Sequence, residues 1–336
     1  MRNSRTIVLI VLVALAIVAV LVPYVSSYYY TDVITMLFIN IILVSSFRLI
    51  TLTGNWNLAQ VPLMGAGAYS SALITGSLGW PFWLSLPLSA IAAAVIGLAM
   101  SYPLARTKGF AFFIASYAAG EAMVLCWTRF KVPFGGWTGL VNVPPPGDIG
   151  GISFADPTPY YFLTGIIMAA CLWVMYRLAR SRIGATFHAI HSQESLARSI
   201  GINITRYKML VFVVSSFFAG VAGVLLVHRM WAVEPNQFGW VPTLYLLVWA
   251  VFGGTRTFVG PILGVTVLTV IGELLVPLAE WVPMIYGFIL ILTLLFFPEG
   301  LEGIPHRVQS WFGKTRTRTA APGEVLSEGQ LTEGQH

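Results

Sequence analysis

Few side chains in this sequence of 336 residues could do chemistry, and their placement narrows what that chemistry can be. The five histidines are scattered, and the nearest approach to a ligand pair, His188 and His191 three apart, is better explained by a solvated helix face. Cys126 and Cys171 both lie in apolar runs, too few and too far apart for a disulfide framework or a metal site, so both are expected to be packing residues. No G-x-x-x-x-G-K-[ST] phosphate loop is present, and no nucleophile–base pair emerges. The reading is therefore of a non-enzymatic chain with no cofactor, no metal and no catalytic residue. What remains is a small set of polar or chain-breaking residues inside oily sequence. Glu121 stands about 12 residues, or about 18 Å, into an apolar run. Asn57, Gln60 and Pro62 are followed by Gly65 and Gly67, and a second interruption begins at Gly253 and Gly254 and continues through Gly260, Pro261 and Gly264. Groups of this kind suit passage of a solute rather than bond-making.

The elements that must position them are membrane helices. The chain is 57% hydrophobic and only 10% charged, with mean hydropathy +0.80, whereas a soluble domain carries about 25% charged residues. A bilayer core of about 30 Å needs about 20 mostly apolar residues as a helix. On that rule the sequence predicts an all-α, polytopic integral membrane protein with about ten transmembrane or re-entrant helices, near 7–25, 33–50, 58–78, 82–104, 109–128, 160–178, 208–230, 241–254, 258–276 and 284–298. The third and eighth are short or interrupted by Pro and Gly and could be broken or re-entrant. The first follows Arg2 and Arg5, but it is long for a signal peptide and no clean cleavage site follows, so a retained first span is expected.

The cations test this count. With the N-terminus inside, 16 of the 19 Lys and Arg fall in inner segments, leaving only Arg129, Lys131 and Arg229 outside. Such asymmetry supports an even number of crossings with both termini on the cytoplasmic side. The formal charge of +6 is thus topology, not nucleic-acid binding. The membrane domain is expected over 1–305, with an outer loop at 129–159 and an inner loop at 177–208. Residues 306–336 turn polar and are expected to be a disordered cytoplasmic tail.

One stretch of the inner loop, AIHSQESLARSIGINITRYK (Ala189–Lys208), is polar and helix-forming. Ser192 is a plausible N-cap and Gly201 a plausible left-handed C′ residue, with about eight helical residues between them. Glu194 and Arg198 have the favourable i, i+4 orientation, and Leu196, Ala197 and Ile200 fall on one side. A helix this short is marginal in water. Its narrow, non-aromatic apolar face fits a protein groove better than lipid headgroups.

The polar interruptions permit two readings. Non-helical backbone at membrane depth is tolerated where it lines a watery cavity, and paired interruptions in two halves point to a transport pathway. Tight helix packing at glycine is the other reading. Glu121 likewise is either a transport or ion site or a hydrogen-bonded acid locking helices together. Glu273, nearer a span end, is explained by snorkelling.

Several strings then resemble a known family. SRIGATFHAIHSQESLARSIGINITRYKMLVFVVSSFFAGVAGVLL resembles the cytoplasmic loop and following helix of LivM-type permeases, the branched-chain amino-acid subunits of ABC importers. The resemblance continues in TGNWNLAQVPLMGAGAYSSALI, RTKGFAFFIASYAAGEAM, FGGWTGL, VFGGTRTFVGPILGV and IYGFILILTLLFFPEGLEG, in the family's order. It implies that the polar helix couples to an ATPase through Glu194, Leu196, Ala197, Arg198 and Gly201. Leu196 stands where the family's pattern has a small residue. It further implies two cytoplasmic ABC ATPase subunits, a second related permease and an extracytoplasmic solute-binding protein as partners. The implied substrates are branched-chain amino acids; urea or short amides are the alternative, because Asn55 and Asn57 depart from the family's usual residues. An ion-coupled secondary transporter using Glu121 is the rival class.

Overall fold

The structure is a computed structural model that describes residues 28–148, 151, 153–275 and 281–296. Eleven helices organise these residues: α1 (Tyr28–Thr51), α2 (Gln60–Gly76), α3 (Phe82–Leu104), α4 (Gly109–Arg129), α5 (Pro157–Ala179), α6 (Arg182–Ser192), α7 (Glu194–Ser199), α8 (Ile204–Met230), α9 (Trp240–Gly253), α10 (Gly260–Leu274) and α11 (Val282–Phe296). A short turn of helix at Lys131–Phe134 follows α4. Two-residue strands β1 (Leu140–Val141) and β2 (Ala232–Val233) pair antiparallel, with Leu140 opposite Val233. The described chain is mostly helical, as expected.

Helices occupy nine of the expected span positions, but by length and composition five of them, α1, α3, α4, α5 and α8, can cross a membrane. A count of about ten crossings is therefore not confirmed. The expected span near 7–25 and the tail at 306–336 lie outside the described residues, as does part of the 129–159 loop. The shortfall has a local cause. α2, α9 and α10 have 17, 14 and 15 residues, so they reach only about 21–26 Å at 1.5 Å per residue.

The interruptions fall at helix ends rather than within spans, which corrects the sequence expectation. α2 runs unbroken through Pro62, Gly65 and Gly67, and the non-helical segment is the turn before it. Pro62 sits in the first turn, where a missing N–H removes no intrahelical bond. Gly253 ends α9, and Gly260 and Pro261 begin α10, so the second interruption is also a junction.

α8 is the central element, with 72% of its apolar stretch buried, against 22% for α4 and 17% for α5. It packs on α3, α2 and α1. The contact with α2 is close because Gly67 meets Gly220: a Cβ on Gly67 would stand 2.4 Å from the Gly220 carbonyl oxygen and 2.5 Å from its Cα. Leu63, Ala68, Ala219, Ala222 and Val224 fill the surrounding space at 0% exposure, a seam of small and branched residues.

Contacts tie connecting segments together at two ends of the helices. At one end Arg48 Nε donates to the Thr257 carbonyl at 2.6 Å and Glu194 meets Lys108. At the other, Arg229 pairs with Asp32, and the Tyr29 hydroxyl donates to Glu273 Oε2 at 2.6 Å.

Candidate functional site

The polar residues near position 57 close on one another. Asn57 folds back over the start of α2, where Oδ1 accepts from the Ala59 amide at 3.0 Å and Nδ2 donates to Gln60 Oε1 at 3.1 Å. Gln60 Nε2 donates to Ser46 Oγ of α1 at 2.7 Å and to the Ser215 carbonyl of α8 at 3.3 Å. Ser215 Oγ shares its proton between the Ser46 carbonyl at 2.6 Å and Gln60 Oε1 at 3.2 Å. Both donors and both acceptor positions of the Gln60 amide are thus used, as burial demands of a polar group in an apolar surround. The Leu58 amide donates to Ser116 Oγ at 3.1 Å, which ties α4 into the same knot.

The other pathway candidates are buried beside it. Pro62 and Ala59 lie under Gly120 of α4, where a Cβ would come within 2.9 Å of the Pro62 ring. Gly65 faces Phe238 and Trp127, and Gly67 faces Gly220. The buried stripe of α4, Phe112, Ser116, Gly120, Val124 and Trp127, recurs every three or four residues and rests on this region. Glu121 flanks that stripe half-buried, with Tyr117 one turn earlier within electrostatic reach of its carboxyl group. The Tyr117 ring meets Trp240 edge-on at 5.5 Å. Gly253 and Gly254 are placed differently: Gly253 packs on Gly260 and Pro261, and Gly254 closes α9 at φ +89°. The structure therefore gathers Asn57, Gln60, Pro62 and the Glu121 helix into one neighbourhood and sets the glycine pair at the α9–α10 junction.

The inner loop folds as two helices, not one. Ser181 caps α6, its Oγ accepting from the Gly184 amide at 3.3 Å. Ser192, the expected N-cap of the second helix, instead ends α6 and donates to the His188 carbonyl at 3.0 Å. The N-cap is Gln193, without a side-chain cap bond, and α7 has six residues, shorter than expected. Its C-terminus follows the expectation. Gly201 takes φ +89°, its amide donating to Arg198 O at 3.0 Å, and the Ile202 amide reaches Ala197 O at 3.1 Å. That is a Schellman closure, and it turns the chain back toward Asn203, whose Oδ1 caps α8 through the Arg206 amide at 3.1 Å.

The apolar side of α7 is divided. Ala197 is buried with Ile190 of α6 and Ile204 of α8 in a small cluster of its own, whereas Leu196 and Ile200 point outward, 58% and 70% exposed. Next to them lies a groove of about 510 Å³ between Ile183, Ile200, Ile202, Tyr207 and Leu210.

Glu194 makes the expected pair with Arg198 at 3.7 Å, but its shorter partners come from elsewhere in the chain: Lys108 Nζ at 3.0 Å and Lys208 Nζ at 3.3 Å. Burial works to raise this carboxyl's pKa, but the Lys108 hydrogen bond and the Lys208 charge outweigh it and hold the group below the ordinary carboxylate range. His188 and His191 are exposed on α6, as expected, although burial of part of the His188 ring and the nearby Arg48 and His191 charges lower its pKa. Gly54 packs directly on the His191 ring. No group of three potential metal ligands occurs among the described residues.

Sequence reasoning missed Lys108 and Lys208 as partners of Glu194, and Ser46, Ser116 and Ser215 as partners in the knot. The serines carried a signal, since each is a hydroxyl in an apolar run. It also missed His228, which is buried at the far end of α8 between the Pro144 carbonyl at 2.7 Å and Ser71 Oγ at 2.8 Å. A proline carbonyl can only accept, so Nδ1 carries the proton and Ser71 donates to Nε2.

Residues 29–297 match the family model described as branched-chain amino acid transport system / permease component. The chain belongs to this permease family. It is 28% identical over 314 residues to the high-affinity branched-chain amino acid transport system permease protein LivM of Salmonella typhimurium, covering 86% of this chain and 74% of that one. LivM of Escherichia coli matches with the same identity and coverage. The autoinducer 2 import system permease protein LsrC of Photorhabdus laumondii is 27% identical over 242 residues, covering 69% of this chain and 61% of that one. A chain of the solved structure of PsaBC from Streptococcus pneumoniae in complex with Fab aligns over 86% of this chain and 96% of its own, at 14% identity and TM-score 0.45, too distant to bear on the fold. Family membership and the apolar helices make this a multi-pass membrane permease of the ABC type, a transport protein rather than an enzyme.

Proposed function

We propose that this permease is the translocating subunit of an ATP-driven importer of branched-chain amino acids. It works with two cytoplasmic ATPase subunits, a second related permease and an extracytoplasmic binding protein. The observation that carries the reading is α7 itself. A six-residue helix is far too short to persist alone, yet this one is anchored from below by Ala197, Glu194 and the turn at Gly201 while it raises Leu196 and Ile200 clear of the surface. An apolar ridge on a braced helix, flanked by exposed Arg182, Arg198 and Arg206, suits a partner groove with an apolar floor and an acidic rim. ATPase closure on that ridge would move the loop, and the 16 inner cations favour a cytoplasmic location for it and for both termini.

Solute passes along the half-exposed face of α4 that carries Glu121, where a second permease would cover it. Asn57, Gln60, Pro62, Gly65 and Gly67 form the layer behind that face, and Gly253 and Gly254 set the α9–α10 junction. The two LivM relatives support branched-chain amino acids as substrate. The LsrC relative favours a second reading in the same architecture, a permease for another small polar solute; urea and short amides belong to that class. An ion-coupled transporter would need no ridge.

The test is the paired substitution Leu196→Asp and Ile200→Asp in the tagged chain, followed by purification from its native membrane. The ATPases should be lost while the permease still accumulates, and ATP-dependent leucine uptake should stop. Uptake that persists under an ion gradient without any ATPase would overturn the proposal.

A further inference from the structure

Glu194 is the junction of three cations whose exposures differ. The side chain of Lys208 is 6% exposed, and that of Glu194 26%, so this arm is buried at its lysine end, within the start of α8. A buried ammonium cannot lose a carboxylate partner cheaply, so Lys208 holds Glu194, and with it α7, to α8. Lys108 is different. Its side chain is 66% exposed, yet it makes the shortest contact, 3.0 Å to Glu194 Oε1. It is also the N-cap residue of α4, in extended conformation at φ −135° and ψ 150°. The helix it begins carries Ser116 and Gly120 against the buried knot and Glu121 on the flank. The main packing of α4 is on α2, α3 and the turns at 131–138 and 235–238, and among the described residues the Lys108–Glu194 pair links its N-terminal end to α7.

We propose that Lys108 is a positioning residue that links α7 to α4, so that movement of the docked helix reaches the Glu121 face through the Lys108–Glu194 contact while α8 follows through Lys208. Glu194 then serves inside the permease, and the surface offered to the ATPase is Leu196 and Ile200. The inference rests on the proposed ATPase docking at α7. The Lys108 arm, exposed at its lysine end, can open and reform more readily than the Lys208 arm, so α4 can follow α7 in steps while α8 stays attached to it. An exposed ion pair shifts an equilibrium by about two- to fivefold, and that sets the size of the effect.

The assembled transporter, purified with its ATPases and reconstituted in vesicles, provides the test. Lys108→Met keeps the length of the side chain without its charge, Lys108→Glu opposes Glu194, and Lys108→Arg restores the pair. Retained ATPase and leucine transported per ATP hydrolysed are measured for each. The Lys208–Glu194 arm is untouched, so all three should fold and retain the ATPases. Lys108→Met should lower the transport-to-hydrolysis ratio about two- to fivefold, Lys108→Glu should lower it further, and Lys108→Arg should match the parent. A ratio unchanged in all three overturns the inference, and leaves the docking reading standing if Leu196→Asp with Ile200→Asp still strips the ATPases. Loss of the ATPases from Lys108→Met also overturns it, because Lys108 would then touch the partner directly. ATPases retained by the Leu196 and Ile200 variant would remove the docking reading, and the inference with it.

Discussion

Replacing Gly67 by alanine separates two opposed effects on a single helix. Alanine is the better helix former, worth about 1 kcal/mol over glycine in a helix interior. Against that, the new methyl carbon would stand 2.4 Å from the Gly220 carbonyl oxygen and 2.5 Å from Gly220 Cα. Neither neighbour is a side chain that can rotate away. α2 and α8 must therefore separate by about 1 Å to restore ordinary van der Waals distance, loosening the seam of Leu63, Ala68, Ala219 and Ala222. Overpacking of this kind costs up to about 3 kcal/mol, and backbone obstruction puts Gly67 at the upper end, leaving a net loss of about 2 kcal/mol. Gly76 is the internal control. It lies in the same helix with nothing within 4 Å of its virtual Cβ, so Gly76→Ala should be neutral or stabilising by up to about 1 kcal/mol. Thermal unfolding of the two variants in the same detergent, followed by tryptophan fluorescence, compares them directly. Opposite shifts, Gly67→Ala down and Gly76→Ala level or up, are expected. Equal shifts would refute the claim that backbone approach, rather than helix propensity, governs the α2–α8 contact.

Gly201→Val should strain the turn after α7, because φ +89° is a conformation L side chains rarely adopt; ATPase co-purification should fall, and Gly201→Asn should fall less. Gln60→Leu nearly preserves volume but removes the Gln60 partner of Asn57 Nδ2, so it should destabilise by about 1–3 kcal/mol, read as a lowered unfolding temperature with unchanged membrane insertion. The Glu194 carboxyl has a folded pKa below its ordinary value of 4.5, so its pairing contributes fully above about that pH and is lost as pH falls through the lower folded value. Limited proteolysis of the 177–208 loop should accordingly be slow at neutral pH and accelerate in acid, and Glu194→Gln should remove the part of that acceleration that sets in below about pH 4.5, leaving any part due to His188.

Much of the architecture was legible from composition alone. A chain with 10% charged residues has no surface to offer water on every side, and Lys and Arg collect at loops because a bilayer tolerates them nowhere else. Helix positions at 82–104 and 109–129 agree with the sequence reading to within a residue, since long apolar runs end where lysine, arginine or proline begins. Gly201 was readable because a helix C-terminus favours the one residue with no Cβ at left-handed φ. Span lengths at α2, α9 and α10 were less legible: apolar residues continue across the Gly–Pro junctions, and hydropathy does not register where the helical hydrogen bonds stop. The Ser192 cap was misplaced for a related reason, because its hydroxyl can bond back to the preceding turn as readily as forward to the next.

By itself, then, the sequence determined that the protein lives in a membrane, where its long apolar helices lie, which connections carry the cations, and that one polar helix stands apart. These are local or summed properties, set by transfer free energies and backbone conformation within a few residues. Tertiary structure alone decided that Gln60 spends all its hydrogen bonds on Asn57, Ser46 and Ser215, that Gly67 meets Gly220, and that Glu194 faces Lys108 and Lys208 rather than chiefly Arg198. Lys108 is 86 residues from Glu194, and no periodicity spans that distance. Such pairings arise when buried polar and charged groups must find partners across helices already brought together by packing, and the partner is whichever group the fold leaves within reach.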